Sequence, residues 1–174
     1  MDKIVIYCSS SSQVPASYKQ EAAKLVAGLC AKGYGIVSGG SFRGTMGVVS
    51  DTVVKCGGYH KGVLPSFMKS LVYETLTETV WTETMAQRKE EMRRGTVAAI
   101  ALPGGIGTLD ELIETQVLKK LGRYPGRIIV FNPDGFFDPF FALLDHYVAT
   151  GMLSLEDRNL IESFSSTEAL LSSL

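Results

Sequence analysis

Residues 96–108 read TVAAIALPGGIGT. The run from Thr96 to Leu102 is apolar in its middle, as is typical of a parallel strand that is covered on both faces. It passes directly into the glycine-rich loop 103–108, and a helix is predicted over 109–121. A strand, a glycine loop and a helix in this order predict a parallel sheet of the α/β class.

The same alternation of strand and helix extends along the whole chain. The other predicted strands are Lys3–Cys8, Gly35–Ser38, Lys61–Leu64 and Arg127–Phe131, and the other predicted helices are Ala16–Lys32, Val48–Cys56, Thr84–Arg94 and Phe137–Thr150, with one or two short helices after them. Residues 66–84 have weak periodicity and receive no assignment. Because the chain has no repeat and no linker, residues 1–174 are predicted to form one domain that binds ligands at the carboxyl ends of its strands.

Charge and cysteine content argue against several classes of protein. The 174 residues include 17 Lys and Arg against 18 Asp and Glu, and a net charge of -1 gives no field for binding a nucleic acid polymer or an anionic membrane. The widely spaced Cys8, Cys30 and Cys56 favour neither a disulfide scaffold nor a zinc cluster, so a cytoplasmic protein is expected. The apolar runs Ile4–Cys8 and Val97–Leu102 are too short for a membrane span or a signal peptide.

Two glycine-rich loops at strand ends, 39–47 and 103–108, indicate that a phosphorylated ligand binds there. The first loop is not a P-loop, because Thr45 and Met46 stand where Lys and Ser or Thr are required. The second is not a dinucleotide fingerprint, because Asp110 occupies the position of the third glycine. Tight turns alone would explain any single glycine, but their clustering in two strand-end loops favours an anion site.

The predicted helix 84–94 and Glu111 each allow two interpretations. Met85, Arg88, Lys89 and Met92 share one helix face, which is either a solvated face, with a Glu90–Arg94 pair beside it, or part of a ligand site. Glu111 either closes a capping box that begins at Thr108 or acts in catalysis.

Three further residues with reactive side chains point to no separate chemistry. Cys8 is expected to pack in the core rather than to act as a nucleophile. His60 and His146 have no spaced partners for a metal site or a catalytic triad. No metal ligand cluster is therefore expected.

Two segments resemble the signatures of a known family. Residues 85–89, MAQRK, and 103–111, PGGIGTLDE, are similar to the MxxRK and PGGxGTxxE motifs of the LONELY GUY (LOG) family, cytokinin riboside 5′-monophosphate phosphoribohydrolases that are also labelled lysine decarboxylase-like. The likeness covers most of the chain except 66–84 and about the last 20 residues. The chain departs from the family's common residues at Ser9, Arg43, Thr45, Ala86 and Ile106.

The resemblance implies a Rossmann-like, doubly wound parallel sheet with helices on both faces, assembled as a homodimer. It implies hydrolysis of the N-glycosidic bond of a nucleoside 5′-monophosphate, AMP or an N6-substituted AMP, to free base and ribose 5-phosphate, without a metal or cofactor. Arg88 and Glu111 match the catalytic pair. The matched substrate-binding positions are Ser10, Gly40, Ser41, Gly44, Thr45, Met85, Lys89, Gly104, Gly105, Ile106, Gly107, Thr108, Leu109 and Asp110.

Two other functions remain open at this point. One is a carrier or sensor of the same fold that binds a nucleotide without cleaving it. The other is an amino-acid decarboxylase, which would need pyridoxal phosphate on a lysine, and Lys89 beside Arg88 is a poor candidate for that lysine.

Overall fold

The computed structural model describes residues 1–174, and a single sheet of seven parallel strands runs through it. The strands are β1 (Lys3–Tyr7), β2 (Gly35–Ser38), β3 (His60–Pro65), β4 (Glu78–Thr82), β5 (Thr96–Ala101), β6 (Arg127–Phe131) and β7 (Ile161–Phe164). Their spatial order is β4-β3-β2-β1-β5-β6-β7. The predicted doubly wound α/β sheet is therefore confirmed.

Helices connect these strands and cover both faces of the sheet. They are α1 (Ala16–Ala31), α2 (Gly44–Lys55), α3 (Met85–Arg93), α4 (Ile106–Lys120), α5 (Asp138–Ala149), α6 (Leu155–Arg158) and α7 (Thr167–Ser173), with short 3-10 helices at Ser66–Leu71 and Pro133–Gly135. None of the helices combines the length and the apolar composition that a bilayer crossing requires.

Alternating side chains along the strands create two cores. Ile4 and Ile6 of β1 point to one face, where they belong to a buried cluster with residues of α1, α2 and α7. Val5 and Tyr7 point to the other face, where the cluster includes residues of α3, α4 and α5. The sheet is thus buried on both sides, which explains the uninterrupted apolar runs in its central strands.

The chain reverses its direction of winding between β1 and β5. It first adds β2, β3 and β4 on one side of β1, and then returns to place β5 on the other side. Tyr7 pairs with Ala101 in the parallel register, so β1 and β5 end side by side. The loops that follow them must separate, and this leaves a crevice at the carboxyl edge of the sheet.

The differences from the sequence-based assignment lie at the sheet edges and at two helix starts. The edge strands β4 and β7 were not predicted, because β4 is largely exposed and rich in Thr and Glu and β7 has four residues. The predicted starts of α2 at Val48 and of α4 at Leu109 are wrong: the helices begin at Gly44 and Ile106. In both helices, glycines that made the sequence look like a loop lie inside the first helical turn or next to it.

His60, at the start of β3, is buried and neutral. Its Nε2 shares a hydrogen bond of 2.7 Å with the Ser38 hydroxyl, whereas its Nδ1 is buried without a partner. Burial lowers the pKa of His60 to about 4, because a charged imidazole would lose its hydration there. His146, on α5, is exposed.

His60 makes the stability of the fold depend on pH. In the unfolded chain its pKa is near 6.5, so between that pH and about 4 the unfolded state binds a proton that the folded state does not. The free energy of unfolding should fall across this window, with His60 contributing about 3 kcal/mol of the loss. In denaturant titrations from pH 7 to 4, His60→Gln should show a shallower decline than the wild type, and His146→Gln an unchanged one. Equal slopes in all three proteins would contradict this assignment.

Candidate active site

A cavity of about 430 Å³ lies at the crevice between the ends of β1 and β5. One wall is formed by Ser9–Ser11 after β1 and by residues 105–108 at the start of α4. Another is formed by Gly39, Ser41, Arg43 and Met46, which follow β2. The serine and threonine residues and one arginine therefore lie in this part of the cavity, together with Met46 and Ile106.

An apolar wall faces the cavity from the side of β3. It consists of Leu64 and Pro65 at the end of the strand and Met68 and Leu71 of the 3-10 helix. The amide of Phe42 donates to the Leu71 carbonyl oxygen at 3.1 Å, so the 3-10 segment is attached to the loop after β2. The cavity thus has a polar side and an apolar side.

A buried ion pair joins α3 to α4 at the cavity. Arg88 Nη1 lies 2.9 Å from Glu111 Oε1, and the side chains are only 8% and 5% exposed. Arg88 Nε also donates to the Val63 carbonyl oxygen at 3.0 Å. The structure therefore contradicts the interpretation of Arg88 as part of a solvated face.

Gly39 provides the space that Arg88 occupies. A Cβ atom at this position would lie closer than 3.0 Å to Arg88 Nη2, and Arg88 cannot move aside without losing its bonds to Glu111 and Val63. The glycine after β2 therefore helps to fix the guanidinium beside the cavity.

The buried surroundings of Glu111 disfavour the charged form of its carboxyl group. Burial raises the pKa of Glu111, and this effect exceeds the lowering by the Arg88 guanidinium. A carboxyl group with a raised pKa in a cavity, next to one cation, is suited to stabilising positive charge or to accepting a proton.

The capping-box interpretation of Glu111 is wrong. Helix α4 begins at Ile106 with Gly105 as its N-cap, no side chain caps it, and Glu111 lies in its second turn. The capping box is found instead on α3, where Thr84 and Gln87 bond reciprocally. Gly105 can begin α4 with an extended backbone conformation, so the sequence TLDE needs no role in capping.

The start of α4 has the properties of an anion site. The first amides of a helix have no acceptor within it and carry the positive end of the helix dipole. Thr108, a residue that lines the cavity, adds a buried hydroxyl that has no hydrogen-bond partner. Gly104 leaves room for this hydroxyl, because a Cβ atom there would lie closer than 3.0 Å to it.

Some of the residues predicted to bind or convert a ligand are brought together at the cavity. They are Ser10, Ser41, Met85, Arg88, Gly105, Ile106, Gly107, Thr108 and Glu111. Their individual roles stay predictions.

Other predicted binding residues lie outside the cavity. They are Gly40, Gly44, Thr45, Lys89, Gly104, Leu109 and Asp110, none of which lines it. Gly40 packs against the backbone of Gly62, and Gly44 against the loop after β1. Lys89 turns away to pair with Asp110 at 3.0 Å and with Glu114, so it links the outer sides of α3 and α4.

Several cavity residues were not among the predicted binding or catalytic residues, although Ser9 and Arg43 were noted as departures from the family's common residues. Ser9, Ser11, Gly39, Arg43 and Met46 lie within loops that were recognised, next to residues that were predicted. Leu64 and Pro65 precede the segment without an assignment, and Met68 and Leu71 lie inside it. Cys8 also reaches the cavity, but it packs in the core as expected, and burial raises the pKa of its thiol.

Comparisons with known proteins identify relatives over nearly the whole chain. The chain matches the family described as "Possible lysine decarboxylase" over residues 46–174. The cytokinin riboside 5′-monophosphate phosphoribohydrolase LOG of Oryza sativa subsp. japonica is 37% identical over 163 residues, covering 92% of this chain and 67% of the relative. The corresponding LOG2 of Arabidopsis thaliana is 34% identical, covering 97% and 80%.

Solved structures share the fold at lower sequence identity. The molybdenum cofactor binding protein of Rippkaea orientalis superposes with a TM-score of 0.76 at 22% identity, covering 99% of this chain and 95% of that one. The molybdenum cofactor carrier protein of Chlamydomonas reinhardtii superposes with a TM-score of 0.75 at 16% identity, covering 99% and 96%. At these identities the likeness shows the fold alone.

The buried pair should contribute more to stability than the partly exposed pairs of Lys89 beside it. Arg88→Met leaves the Glu111 carboxyl group buried without its cation and should lower the free energy of unfolding by about 3 kcal/mol at pH 7. Lys89→Met, one residue along, breaks pairs with the more exposed carboxylates of Asp110 and Glu114 and should cost about 1 kcal/mol or less. Chemical denaturation measures both, and equal losses would contradict the difference in burial.

Proposed function

Since the chain belongs to the possible lysine decarboxylase family, together with the cytokinin riboside 5′-monophosphate phosphoribohydrolases, we propose that it hydrolyses the N-glycosidic bond of a nucleoside 5′-monophosphate. The products are the free base and ribose 5-phosphate. The observation that carries this proposal is the buried Arg88–Glu111 pair, which opens onto a cavity beside the start of α4.

The chemistry of the reaction requires both members of the pair. Breaking the bond between ribose and base builds positive charge on the sugar and negative charge on the leaving base. Glu111 stabilises the cationic sugar and orients or deprotonates the attacking water. Arg88 holds the carboxyl group in place and supplies positive charge near the departing base.

The phosphate of the substrate binds at the polar side of the cavity. The free amides at the start of α4 and the unpaired hydroxyl of Thr108 provide donors for its oxygens. Anchoring the phosphate fixes the ribose relative to Glu111, which lies on the second turn of the same helix.

The base lies toward the apolar wall. Leu64, Met68 and Leu71, together with Met85 at the start of α3, offer apolar surface to a flat ring. An N6-isoprenoid group and the edge of plain adenine can both contact such a wall.

The side chains at the cavity do not support an amino-acid decarboxylase. A Schiff base to pyridoxal phosphate needs a lysine whose amine is readily deprotonated. No lysine lines the cavity. Partial burial lowers the pKa of Lys89, but its hydrogen bonds to Glu114 and Asp110 together raise the pKa by more than burial lowers it. The pKa of Lys89 is therefore above its usual value.

We further propose that the protein acts as a homodimer in the cytoplasm. Ile106, Leu109, Val117 and Leu121 are exposed apolar side chains that recur along α4, and a second copy would cover them. Leu112 and Gln116 of the same helix are buried in the fold and are not available for association.

The three free cysteines suit a reducing compartment such as the proposed cytoplasm.

The proposed reaction is tested by incubating the purified protein with AMP and, in parallel, with N6-isopentenyl-AMP, while free base and ribose 5-phosphate are followed by chromatography. We expect release from at least one nucleotide and much slower release from adenosine, which lacks the phosphate anchor. Nucleotide binding without release of base would contradict hydrolysis and favour a carrier or sensor.

Glu111→Gln keeps the shape of the side chain and removes its charge. We expect kcat to fall by about a hundredfold or more, because the positive charge on the sugar loses its counter-charge, while nucleotide affinity changes little. The matched control is Glu114→Gln, one turn further along α4 and outside the cavity. Similar losses in both variants would contradict a catalytic role for Glu111.

The proposed dimer is tested by light scattering coupled to size exclusion. Val117→Glu places a charge in the middle of the exposed apolar residues of α4 and should yield a monomer of 18.8 kDa where the wild type gives twice that mass. Val54→Glu, at an exposed apolar position on α2, serves as the control. A monomeric wild type, or dissociation of both variants, would refute this assembly.

A further inference from the structure

The charged side chains that line the cavity leave one positive charge unpaired. They are Arg43, Arg88 and Glu111. Arg88 and Glu111 form the buried pair, whereas Arg43 makes no ion pair and its side chain makes no hydrogen bond to the protein. Because it is exposed and has no partner in the protein, the guanidinium of Arg43 is available to a ligand in the cavity.

The backbone of Arg43 is held in place although its side chain is free. Arg43 is the N-cap of α2, its amide donates to the Ser41 hydroxyl at 3.2 Å, and its carbonyl oxygen accepts from the Gly47 amide at 3.1 Å. Its side chain therefore begins from a fixed point at the cavity wall, and only the freedom of the side chain itself is lost when it binds a ligand.

The loop after β1 lies directly against this point. The amides of Thr45 and Met46 both donate to the Ser9 carbonyl oxygen, at 2.9 and 3.2 Å. Gly44 has a φ of +55°, and a Cβ atom there would lie 2.5–2.8 Å from the backbone of 9–11. The backbone of Arg43 is thus fixed beside the serines that follow β1, at the polar side of the cavity.

We propose that Arg43 is a phosphate-binding residue of this chain, which contacts the 5′-phosphate from the α2 side while the start of α4 and Thr108 bind it from the other. This rests on the proposed function in so far as the phosphorylated ligand is a nucleotide. A guanidinium can donate two parallel hydrogen bonds to phosphate oxygens. Arg43 thereby adds to the preference for phosphorylated substrates over nucleosides without taking part in bond cleavage.

The first test measures binding alone, by calorimetry with ribose 5-phosphate in a phosphate-free buffer. Arg43→Gln should weaken binding by about tenfold or more, and Arg43→Lys should recover part of the loss because it restores the charge. Arg123→Gln removes another exposed, unpaired arginine that lies outside the cavity and should bind as the wild type does. Circular dichroism checks the fold of each variant, and Arg43→Met replaces Arg43→Gln if the latter does not fold.

The second test separates binding from catalysis in the hydrolysis assay. Arg43→Gln should raise KM for the nucleotide by about tenfold, with kcat changed by less than about threefold and adenosine turnover unaffected. Wild-type affinity for ribose 5-phosphate in Arg43→Gln would overturn the assignment, and so would the absence of binding to the wild type. If the wild type binds ribose 5-phosphate but releases no base, the proposed function fails while the role of Arg43 is still decided by the binding series.

Discussion

The ion pair between Arg88 and Glu111 is the interaction on which the site depends. Removing both charges from water is costly, and the cost is offset only where the geometry is good and the remaining donors are satisfied. Val63 supplies an acceptor and Gly39 supplies the space, so strands β2 and β3 both contribute to holding a guanidinium that belongs to α3. The pair in turn joins α3 to α4 across the end of the sheet and keeps the carboxyl group at the cavity.

The topology of the sheet determines where this pair can lie. Strands β1 and β5 end side by side at the reversal of winding, and the loops after them diverge. Glycines at the cavity allow close approach: Gly44, at the start of α2, against the backbone of the β1 loop, and Gly104, in the loop after β5, against the hydroxyl of Thr108. A side chain at either position would clash with these neighbours and force the elements around the cavity to move apart. The glycine loops are therefore more than turns, because they bring together elements that end at one edge of the sheet.

The sequence predicts the centre of the fold better than its edges. The run before Pro103 is apolar because β5 is covered on both faces, so its pattern is unambiguous. Strand β4 is exposed and pairs on one side only, so Glu and Thr are tolerated and the pattern is lost. Motif resemblance located Arg88 and Glu111, but no periodicity could show that they meet across 23 positions, or that Lys89 turns outward to Asp110. Long-range contacts of this kind depend on packing between elements, which local patterns do not encode.

The balance of charge in the cavity links binding to the proposed reaction. Before the ligand binds, Arg43 and Arg88 outweigh Glu111 by one charge, which favours entry of an anion. A phosphate group brings a charge of about −2, so the occupied cavity becomes net negative by about one charge. The nucleotide also displaces water, which strengthens every charge interaction that remains. In the proposed reaction the cationic sugar would therefore form in surroundings that its own phosphate has made favourable, beside Glu111, the only acidic side chain that lines the cavity.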